Sequence, residues 1–286
     1  MMPLVMGVVN ATPDSFSDGG VALDPAAAAE VASSMVADGA AVIDVGGEST
    51  RPGARAVSPE EELRRVLPVL EAVLPVAAEG GVRVSIDTRH AEVARRAVGL
   101  GATLINDISA ELWPVAAETG AGWVAMHMKG TPATMAEAPH YDDVVDEVRA
   151  FLVDRATTAS DAGVGEVWVD PGFGFGKDMG HNLTLLAHLD AIVAEGWPVL
   201  VGLSRKRTQG LLTTASDARV GVRTPDDVVP TGDRLEASLA TATWAMHQGA
   251  RMVRAHDVRP HVHAAAVIGG RIDRPSPDVP AATTTV

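Results

Sequence analysis

Eight polar motifs are distributed along the chain, each directly after a short apolar run of residues. The polar residues at or near the ends of these runs are Asn10, Asp44, Asp87, Asn106, His127, Asp170, Lys206 and the pair Arg254 and His256. A single polar residue after an apolar run is usually only a helix cap. Capping alone does not explain why every run ends in this way. The pattern therefore predicts one site to which many segments contribute.

One group of these residues suits a flat, nitrogen-rich ring. Asp87, Asn106 and Asp170 carry carboxylate and amide oxygens that accept hydrogen bonds. A heterocycle whose edge presents several N–H donors pairs well with such acceptors. These three residues therefore predict a binding pocket for a ring of this kind.

A second group suits a phosphate. Lys206, Arg254 and His256 follow the last two runs and supply charge-assisted hydrogen-bond donors. Asn10 follows the first run, which neighbours the last run if the strands close into a barrel. Its side-chain oxygen then joins the phosphate site or ligates a hard metal ion. The residue types thus indicate a ligand with a nitrogenous ring and a phosphate.

The apolar runs are typical of buried parallel strands, because they are rich in Val and Ile and lack polar alternation. They comprise residues 4–9, 41–45, 82–86, 102–105, 123–126, 166–169, 198–202 and 251–255. Helices are predicted for residues 25–38, 59–78, 91–99, 114–119, 141–162, 182–195, 235–249 and 259–268. The sequence Ser58-Pro59-Glu60-Glu61 is a good helix start, with a cap, a proline and acids in the first turn.

Eight strand-and-helix units predict a fold of the α/β class, a single-domain (β/α)8 TIM barrel over residues 1–270. A doubly wound open sheet is the alternative. In such barrels the chemistry lies at the carboxyl ends of the strands, where the polar motifs fall. We expect residues 213–232 to form an irregular loop between the seventh strand and its main helix. We expect residues 271–286 to be a disordered tail.

The composition excludes several classes of protein. The 286 residues contain no cysteine, so disulfides and thiolate metal sites are excluded. A net charge of -14 argues against a nucleic-acid partner but allows a small anionic ligand. No apolar run approaches the ~20 residues that cross a bilayer, and the first residues lack the features of a secretory signal. We therefore expect a cytoplasmic protein that does not bind membranes.

The motifs resemble those of the dihydropteroate synthase family of pterin-binding enzymes. The matching blocks are NATPDSFSDGG, DVGGESTRPG, SIDT, IND, MHMKGTP, DPGFGFGK, GLSRKR and RAHDV, in the family's order. The resemblance implies a transferase of folate biosynthesis, of a family targeted by sulfonamides. Its reaction joins p-aminobenzoate to 6-hydroxymethyl-7,8-dihydropterin diphosphate and releases diphosphate, with Mg²⁺ as cofactor. A homodimer through helices late in the barrel is also implied.

The resemblance also implies roles for individual residues. The pterin is expected to contact Asp87, Asn106, Met126, Asp170, Gly202 and Lys206, which moves Lys206 from the phosphate to the ring. The diphosphate is expected to contact Asn10, Arg254 and His256, and Asn10 also to hold the metal. The implied catalytic residues are Asp87, Asp170, Lys206, Arg254 and His256.

The p-aminobenzoate site is implied to include Phe16, Thr50, Arg51, Pro52, Phe175 and Ser204. Many family members have a substrate-contacting serine directly after the lysine of the GLSRK block. Arg207 stands at that position here, so Ser204 is the candidate instead.

Two other functions agree with the same motifs. One is a non-catalytic pterin-binding paralogue, and the other is a pterin-dependent methyltransferase of the corrinoid class. The methyltransferase class needs neither the diphosphate residues nor the STRPG segment, and both are present here. A zinc site is disfavoured, because His261 and His263 are two residues apart and point away from each other on a helix.

Overall fold

The computed structural model describes residues 2–12, 24–50, 53–135, 137 and 139–270. The strands are β1 (Leu4–Asn10), β2 (Val42–Gly46), β3 (Arg83–Asp87), β4 (Leu104–Asp107), β5 (Gly122–Met126), β6 (Val167–Asp170), β7 (Leu200–Gly202) and β8 (Met252–Ala255). The helices are α1 (Pro25–Ala37), α2 (Pro59–Glu79), α3 (Ala91–Leu100), α4 (Trp113–Thr119), α5 (Val144–Asp161), α6 (Met179–Ala187), α7 (Leu189–Val193), α8 (Arg207–Arg219), α9 (Leu235–His247) and α10 (Val258–Ile268). A 3-10 turn covers Thr231–Asp233.

The eight strands form one parallel sheet in the order β6-β5-β4-β3-β2-β1-β8-β7. A parallel bridge between Val169 of β6 and Val199, just before β7, joins the two ends of this sheet. The strand order never reverses, whereas a doubly wound sheet reverses at a switch point. The (β/α)8 prediction is therefore confirmed, and the open sheet is wrong.

The barrel interior is built in layers, because alternate residues of a strand face the same side. The apolar layer consists of Met6, Val42, Leu104, Val124, Trp168, Leu200 and Met252, which pack together apart from the outer core. Below it Arg83 donates two hydrogen bonds of 2.8 Å to the Glu166 carboxylate. Two residues further along the strands stand Asp44, Asn106, Met126, Asp170, Gly202 and Arg254. An apolar plug therefore supports a polar upper layer.

Alternate apolar strand residues, among them Val5, Ile43, Ile86, Ile105 and Val253, belong to a larger apolar core together with residues of the helices. The predicted start of α2 is correct: the Ser58 hydroxyl caps the helix by accepting a hydrogen bond from the Glu61 N–H, and Pro59 is its first residue. No helix in the described part of the chain combines the length and apolar character needed to span a bilayer.

The structure differs from the sequence prediction after β7. Helix α8 runs to Arg219, so the first third of residues 213–232 is helical and not an irregular loop. Its buried residues include Gln209 and Thr214 and give no apolar period that sequence patterns detect. The Thr214 hydroxyl instead accepts a 2.9 Å hydrogen bond from the Val229 N–H, which fastens the returning segment to the helix. The predicted helix of residues 182–195 is divided at His188, and residues 271–286 lie outside the described residues.

Candidate active site

Arg254 lies at the centre of the polar layer. Its Nε donates to Asp44 at 2.7 Å, and its Nη2 donates to Asp87 at 2.8 Å. The side-chain amide of Asn106 donates to the same Asp44 oxygen at 2.9 Å. Strands β2, β3, β4 and β8 thus meet in one hydrogen-bonded network. The structure places Arg254 against the acids of the predicted ring pocket, and not apart from them.

Asp170 and Lys206 form the opposite side of this layer. Asp170 ends β6 and is buried, and one of its oxygens accepts a 2.8 Å hydrogen bond from the Gly172 N–H. The Lys206 ammonium donates to the Phe173 carbonyl and lies 4.5 Å from the centre of the Phe175 ring. Phe175 is thus placed beside the predicted pterin lysine.

Burial shifts the pKa values of these groups, because it disfavours the charged form of each side chain. It raises the pKa of Asp87 to about 7, against the opposing effect of Arg254, and it raises the pKa of Asp170 against Lys206. It lowers the pKa of Lys206 to about 8, although Asp170 favours the charged form. For Arg254, burial lowers the pKa, but the Asp44 and Asp87 carboxylates outweigh this and raise it. A ligand that donates N–H groups to the acids would favour their ionised forms.

Met126 and Gly202 lie beside these side chains. Met126 is buried and pairs in register with Asp170. Gly202 pairs with Arg254, and a Cβ atom there would lie 3.8 Å from the Lys206 Nζ. The structure therefore brings all six residues predicted for the ring to one end of the barrel.

His256 is exposed above β8 and is held by Ser204. The buried Ser204 hydroxyl lies 3.0 Å from His256 Nδ1 and accepts a 3.2 Å hydrogen bond from the His256 N–H. The sequence assigned Ser204 to p-aminobenzoate. In the structure its hydroxyl contacts His256, which was assigned to diphosphate, and this contact suits the orientation of the imidazole.

Asn10 is the last residue of β1 and pairs in register with Gly46 of β2. Gly46 in turn pairs with Asp87 of β3. It is half-buried at the mouth of the barrel. Its amide oxygen is a hard ligand of the kind that Mg²⁺ accepts, and Mg²⁺ commonly takes one or two protein ligands together with substrate phosphates. The donor present at this position therefore fits the implied metal.

The loop after β2 is fastened at both ends by one carboxylate. Glu48 accepts two hydrogen bonds of 2.9 Å from Arg89 and a third, of 3.1 Å, from the Val57 N–H. Thr50 lies within the segment that this contact closes. Phe16, Arg51 and Pro52, also predicted for p-aminobenzoate, lie outside the described residues.

Glu48, Glu62 and His90 form a cluster of metal-ligand type in the described part of the chain, with their ligand atoms within 4.8 Å of one another. Glu48 is already neutralised by its paired contact with Arg89. We therefore interpret the cluster as side chains packed around the Glu48–Arg89 ion pair behind the β2 loop, with Glu62 accepting a hydrogen bond from Thr88, and not as a metal site. His261, weighed for zinc, is buried on α10 and its ring lies 2.7 Å from the Asp257 carbonyl.

The loop after β6 is held from below by a buried lysine. Lys177 donates to the carbonyls of Gly172 at 3.0 Å and Phe175 at 3.2 Å, and lies 2.9 Å from His127 Nδ1. Burial lowers the pKa of Lys177 to about 7 and that of His127 to about 3. This contact sets the course of the loop that carries Phe175.

The sequence patterns place Asp44 among the polar strand ends but assign it no ligand, and they give no individual role to Glu48 or Lys177. The inward position of Asp44 could have been predicted from the sequence, because it stands two residues after Val42 and alternate strand residues face the same side. Glu48 and Lys177 lie in loops, where no periodicity reports a contact with a distant residue.

Comparisons with known proteins agree with this geometry. Residues 6–256 match the family model of pterin binding enzymes. The dihydropteroate synthase of Escherichia coli strain K12 is 45% identical over 272 residues, covering 93% of this chain and 90% of that protein.

Two solved structures have the same fold. The Thermus thermophilus dihydropteroate synthase in complex with 4-aminobenzoate has a TM-score of 0.79 at 46% identity and covers 94% of this chain and 95% of its own. The Xanthomonas albilineans dihydropteroate synthase in complex with 7,8-dihydropteroate has a TM-score of 0.79 at 40% identity and covers 96% and 95%. A polar layer over a closed apolar plug, a matching family model and relatives of this identity over nearly the full length together show that the chain belongs to the dihydropteroate synthase family of pterin-binding enzymes.

Proposed function

We propose that this chain is a dihydropteroate synthase. It condenses 6-hydroxymethyl-7,8-dihydropterin diphosphate with p-aminobenzoate to give 7,8-dihydropteroate and diphosphate. The observation that carries this proposal is the convergence of Asp87, Asn106, Asp170, Lys206 and Arg254 in one layer. Relatives with the same fold are synthases in complex with 4-aminobenzoate and with 7,8-dihydropteroate.

The pterin ring occupies the polar layer in this proposal. Asp87, Asn106 and Asp170 accept hydrogen bonds from its N–H edge, and Lys206 donates to a ring acceptor. Met126 and Gly202 line the pocket. Burial of the acids supports this role, because a desolvated carboxylate discriminates strongly in favour of a ligand that donates to it.

The diphosphate lies toward β1 and β8. Arg254 and His256 donate to its oxygens, with Ser204 orienting the imidazole. Asn10 would hold the Mg²⁺, which supplies charge neutralisation at the diphosphate when bound. Arg254 pairs with Asp87 in the structure, so this contact opens if Asp87 turns to the pterin.

The reaction exchanges one bond at the pterin methylene carbon. The bond from this carbon to the diphosphate oxygen breaks, and its electron pair leaves with diphosphate. The amine nitrogen of p-aminobenzoate forms the new bond and loses one proton to solvent or diphosphate. The residues stabilise charge on the leaving group and the electron-poor ring, so no strong base is needed.

We place p-aminobenzoate beside Phe175, above Lys206. Thr50 on the fastened β2 loop, with Phe16, Arg51 and Pro52, completes the proposed pocket. The position of Phe175, with its ring centre 4.5 Å from the Lys206 ammonium, supports this arrangement.

We also propose a cytoplasmic homodimer. The dimer, though not the cytoplasmic location, is supported by exposed apolar side chains on α6 and α9: Met179, Leu183 and Trp244 are exposed, and the Trp244 indole donates to the Leu186 carbonyl. Sedimentation should show a dimer at micromolar concentration and a monomer for Leu183→Glu. Leu100→Glu on α3, with a similar exposure, is the control. A wild-type monomer would contradict the dimer.

A coupled assay with pterin diphosphate, p-aminobenzoate and Mg²⁺ tests the activity. We expect dihydropteroate and diphosphate in equal amounts. Tight pterin binding without product would instead indicate a non-catalytic paralogue. Omission of Mg²⁺ should reduce turnover, and an unchanged rate would remove the metal from the proposal.

Two variants test the two halves of the site. Asp170→Asn should weaken binding of 6-hydroxymethyl-7,8-dihydropterin by tenfold or more, corresponding to about 1.4 kcal/mol or more. Arg254→Ala should weaken binding of the pterin diphosphate far more than binding of the pterin alone. Calorimetry with both ligands measures this difference, and equal losses for both would refute the assignment of Arg254.

A further inference from the structure

Asp44 is a buried carboxylate at a polar strand end, and neither the sequence patterns nor the proposed function assigns it a contact or a role of its own. It is fully buried on β2, between the apolar layer and the mouth of the barrel. Its Oδ2 accepts from the Asn106 amide at 2.9 Å and from Arg254 Nε at 2.7 Å. Its Oδ1 is buried without a hydrogen-bond partner in the described part of the chain. One oxygen therefore serves one residue from each half of the site.

The contact with Asn106 fixes the direction of an amide. An ionised carboxylate only accepts, so Asn106 must turn its NH2 group toward Asp44. The carbonyl oxygen of the same amide then points away from Asp44 and remains an acceptor for a ligand. Without Asp44, the amide can rotate by half a turn and present donors in place of this acceptor. Asp44, which the ligand does not contact, thus determines that Asn106 presents its carbonyl oxygen to the ligand as an acceptor.

The contact between Asp44 and Arg254 holds the Arg254 guanidinium in place. Arg254 has two carboxylate partners, Asp44 below and Asp87 at the end of β3. Asp87 is also a proposed pterin ligand, and a pterin N–H competes with Arg254 for its oxygens. Asp44 has no access to solvent and keeps its contact in either case. It is therefore the partner that holds Arg254 in the barrel once the pterin is bound.

We propose that Asp44 is a positioning residue that orients the Asn106 amide toward the pterin and anchors Arg254 beneath the diphosphate. This inference rests on the proposed function, because it takes the pterin and diphosphate as the ligands of those two residues. In this role Asp44, one buried side chain, couples the pterin half of the site to the diphosphate half.

The test compares two nearly isosteric changes. Asp44→Asn removes the charge and the obligatory acceptor. Combining it with Asn106→Asp exchanges the two groups, so that an amide at 44 donates to a carboxylate at 106. That carboxylate still presents an acceptor to the ligand, while the charge beside Arg254 Nε is gone. Ser85→Ala is the control, because Ser85 is buried, pairs in register with Asp44 and has an unpartnered hydroxyl in the described structure.

Binding is measured by calorimetry with 6-hydroxymethyl-7,8-dihydropterin and with inorganic diphosphate plus Mg²⁺, on proteins whose melting curves are recorded. Asp44→Asn should weaken each ligand by tenfold or more. The exchanged pair should bring pterin binding back to within threefold of wild type and leave diphosphate binding weak. Ser85→Ala should change neither.

Wild-type affinity of Asp44→Asn for both ligands would overturn the proposal. Wild-type diphosphate affinity in the exchanged pair would overturn the role toward Arg254, even if the single variant does not fold. If the exchanged pair folds but its pterin binding stays weak, the role of Asp44 toward Asn106 is overturned. If the wild type itself binds no pterin, the proposed function fails, and that result is distinct from all of these.

Discussion

Glu62 on α2 offers a direct test of how burial controls charge near the site. Its side chain is fully buried, Oε2 accepts a 3.0 Å hydrogen bond from the Thr88 hydroxyl, and Oε1 has no partner in the described structure. Burial raises the pKa of Glu62 to about 8 from an ordinary value of 4.5, and the Glu48 carboxylate adds to the increase. We predict that Glu62→Gln makes the protein more stable than wild type at high pH.

The sign follows from proton binding. The folded state keeps its proton on Glu62 up to about pH 8, whereas the unfolded state releases it near pH 4.5. The contribution of this proton to the free energy of unfolding is therefore fully present below pH 4.5 and is lost as the pH rises through 8. The gap of about 3.5 between the two pKa values corresponds to at most about 5 kcal/mol. A glutamine at this position has no proton to lose, so the advantage of the variant should grow by several kcal/mol, within that limit, from pH 5 to pH 9.

Urea unfolding of the wild type and of Glu62→Gln at intervals from pH 5 to pH 9 measures this difference. Glu71→Gln, at an exposed position of the same helix, is the control and should follow the wild-type curve. If the difference between Glu62→Gln and wild type is the same at every pH, Glu62 is ionised in the folded protein throughout. That result would show that burial does not keep Glu62 protonated in the folded protein.

The loop after β6 gives two further predictions. Lys177→Met should destabilise the protein by about 3 kcal/mol, because the partly buried Phe175 carbonyl loses the Lys177 donor and the Gly172 carbonyl keeps only the Phe175 N–H. Since burial lowers the pKa of Lys177 to about 7, the wild type gains stability as the pH rises from 7 toward 10.5, and unfolding curves should show a larger loss for the variant at pH 9 than at pH 6. A loss independent of pH would contradict this. Gly172→Ala should prevent normal folding, because φ is +67° and the added Cβ would lie 1.9 Å from the His127 carbonyl oxygen. Gly53→Ala, at φ +78° with no atom of the described residues within 4 Å of the added Cβ, should lower the stability by only about 1 to 2 kcal/mol. Equal melting temperatures for the two glycine variants would be the contrary result.

The strands and the polar layer could be predicted from the sequence because both follow a local rule. A buried parallel strand is an apolar run, and its inward positions alternate, so Asn106 follows Leu104 and Arg254 follows Met252 on the same face. The closure of the barrel follows from the count of units. These features depend on neighbours within a few residues of each other.

The contacts between distant segments could not be predicted in this way. No local pattern shows that Glu48 closes the β2 loop through Val57, or that Arg254 pairs with Asp87 in the barrel. Helix α8 was missed because its buried face includes glutamine and threonine. A hydrogen bond from the Val229 N–H to the Thr214 hydroxyl joins this helix to the returning segment, and no helical period records such a contact.

The seam between β6 and β7 has a consequence for the dynamics of the barrel. In the described structure the seam has one isolated bridge, from Val169 of β6 to Val199 just before β7, whereas β2 and β3 share a register of five residue pairs. We expect this seam to open first, and its amides to exchange with deuterium faster than those between β2 and β3. Asp170 is the last residue of β6 on one side of the seam, and Lys206 follows β7 on the other. A ring held between them would fasten the seam from above, so substrate binding should slow exchange there more than anywhere else in the sheet.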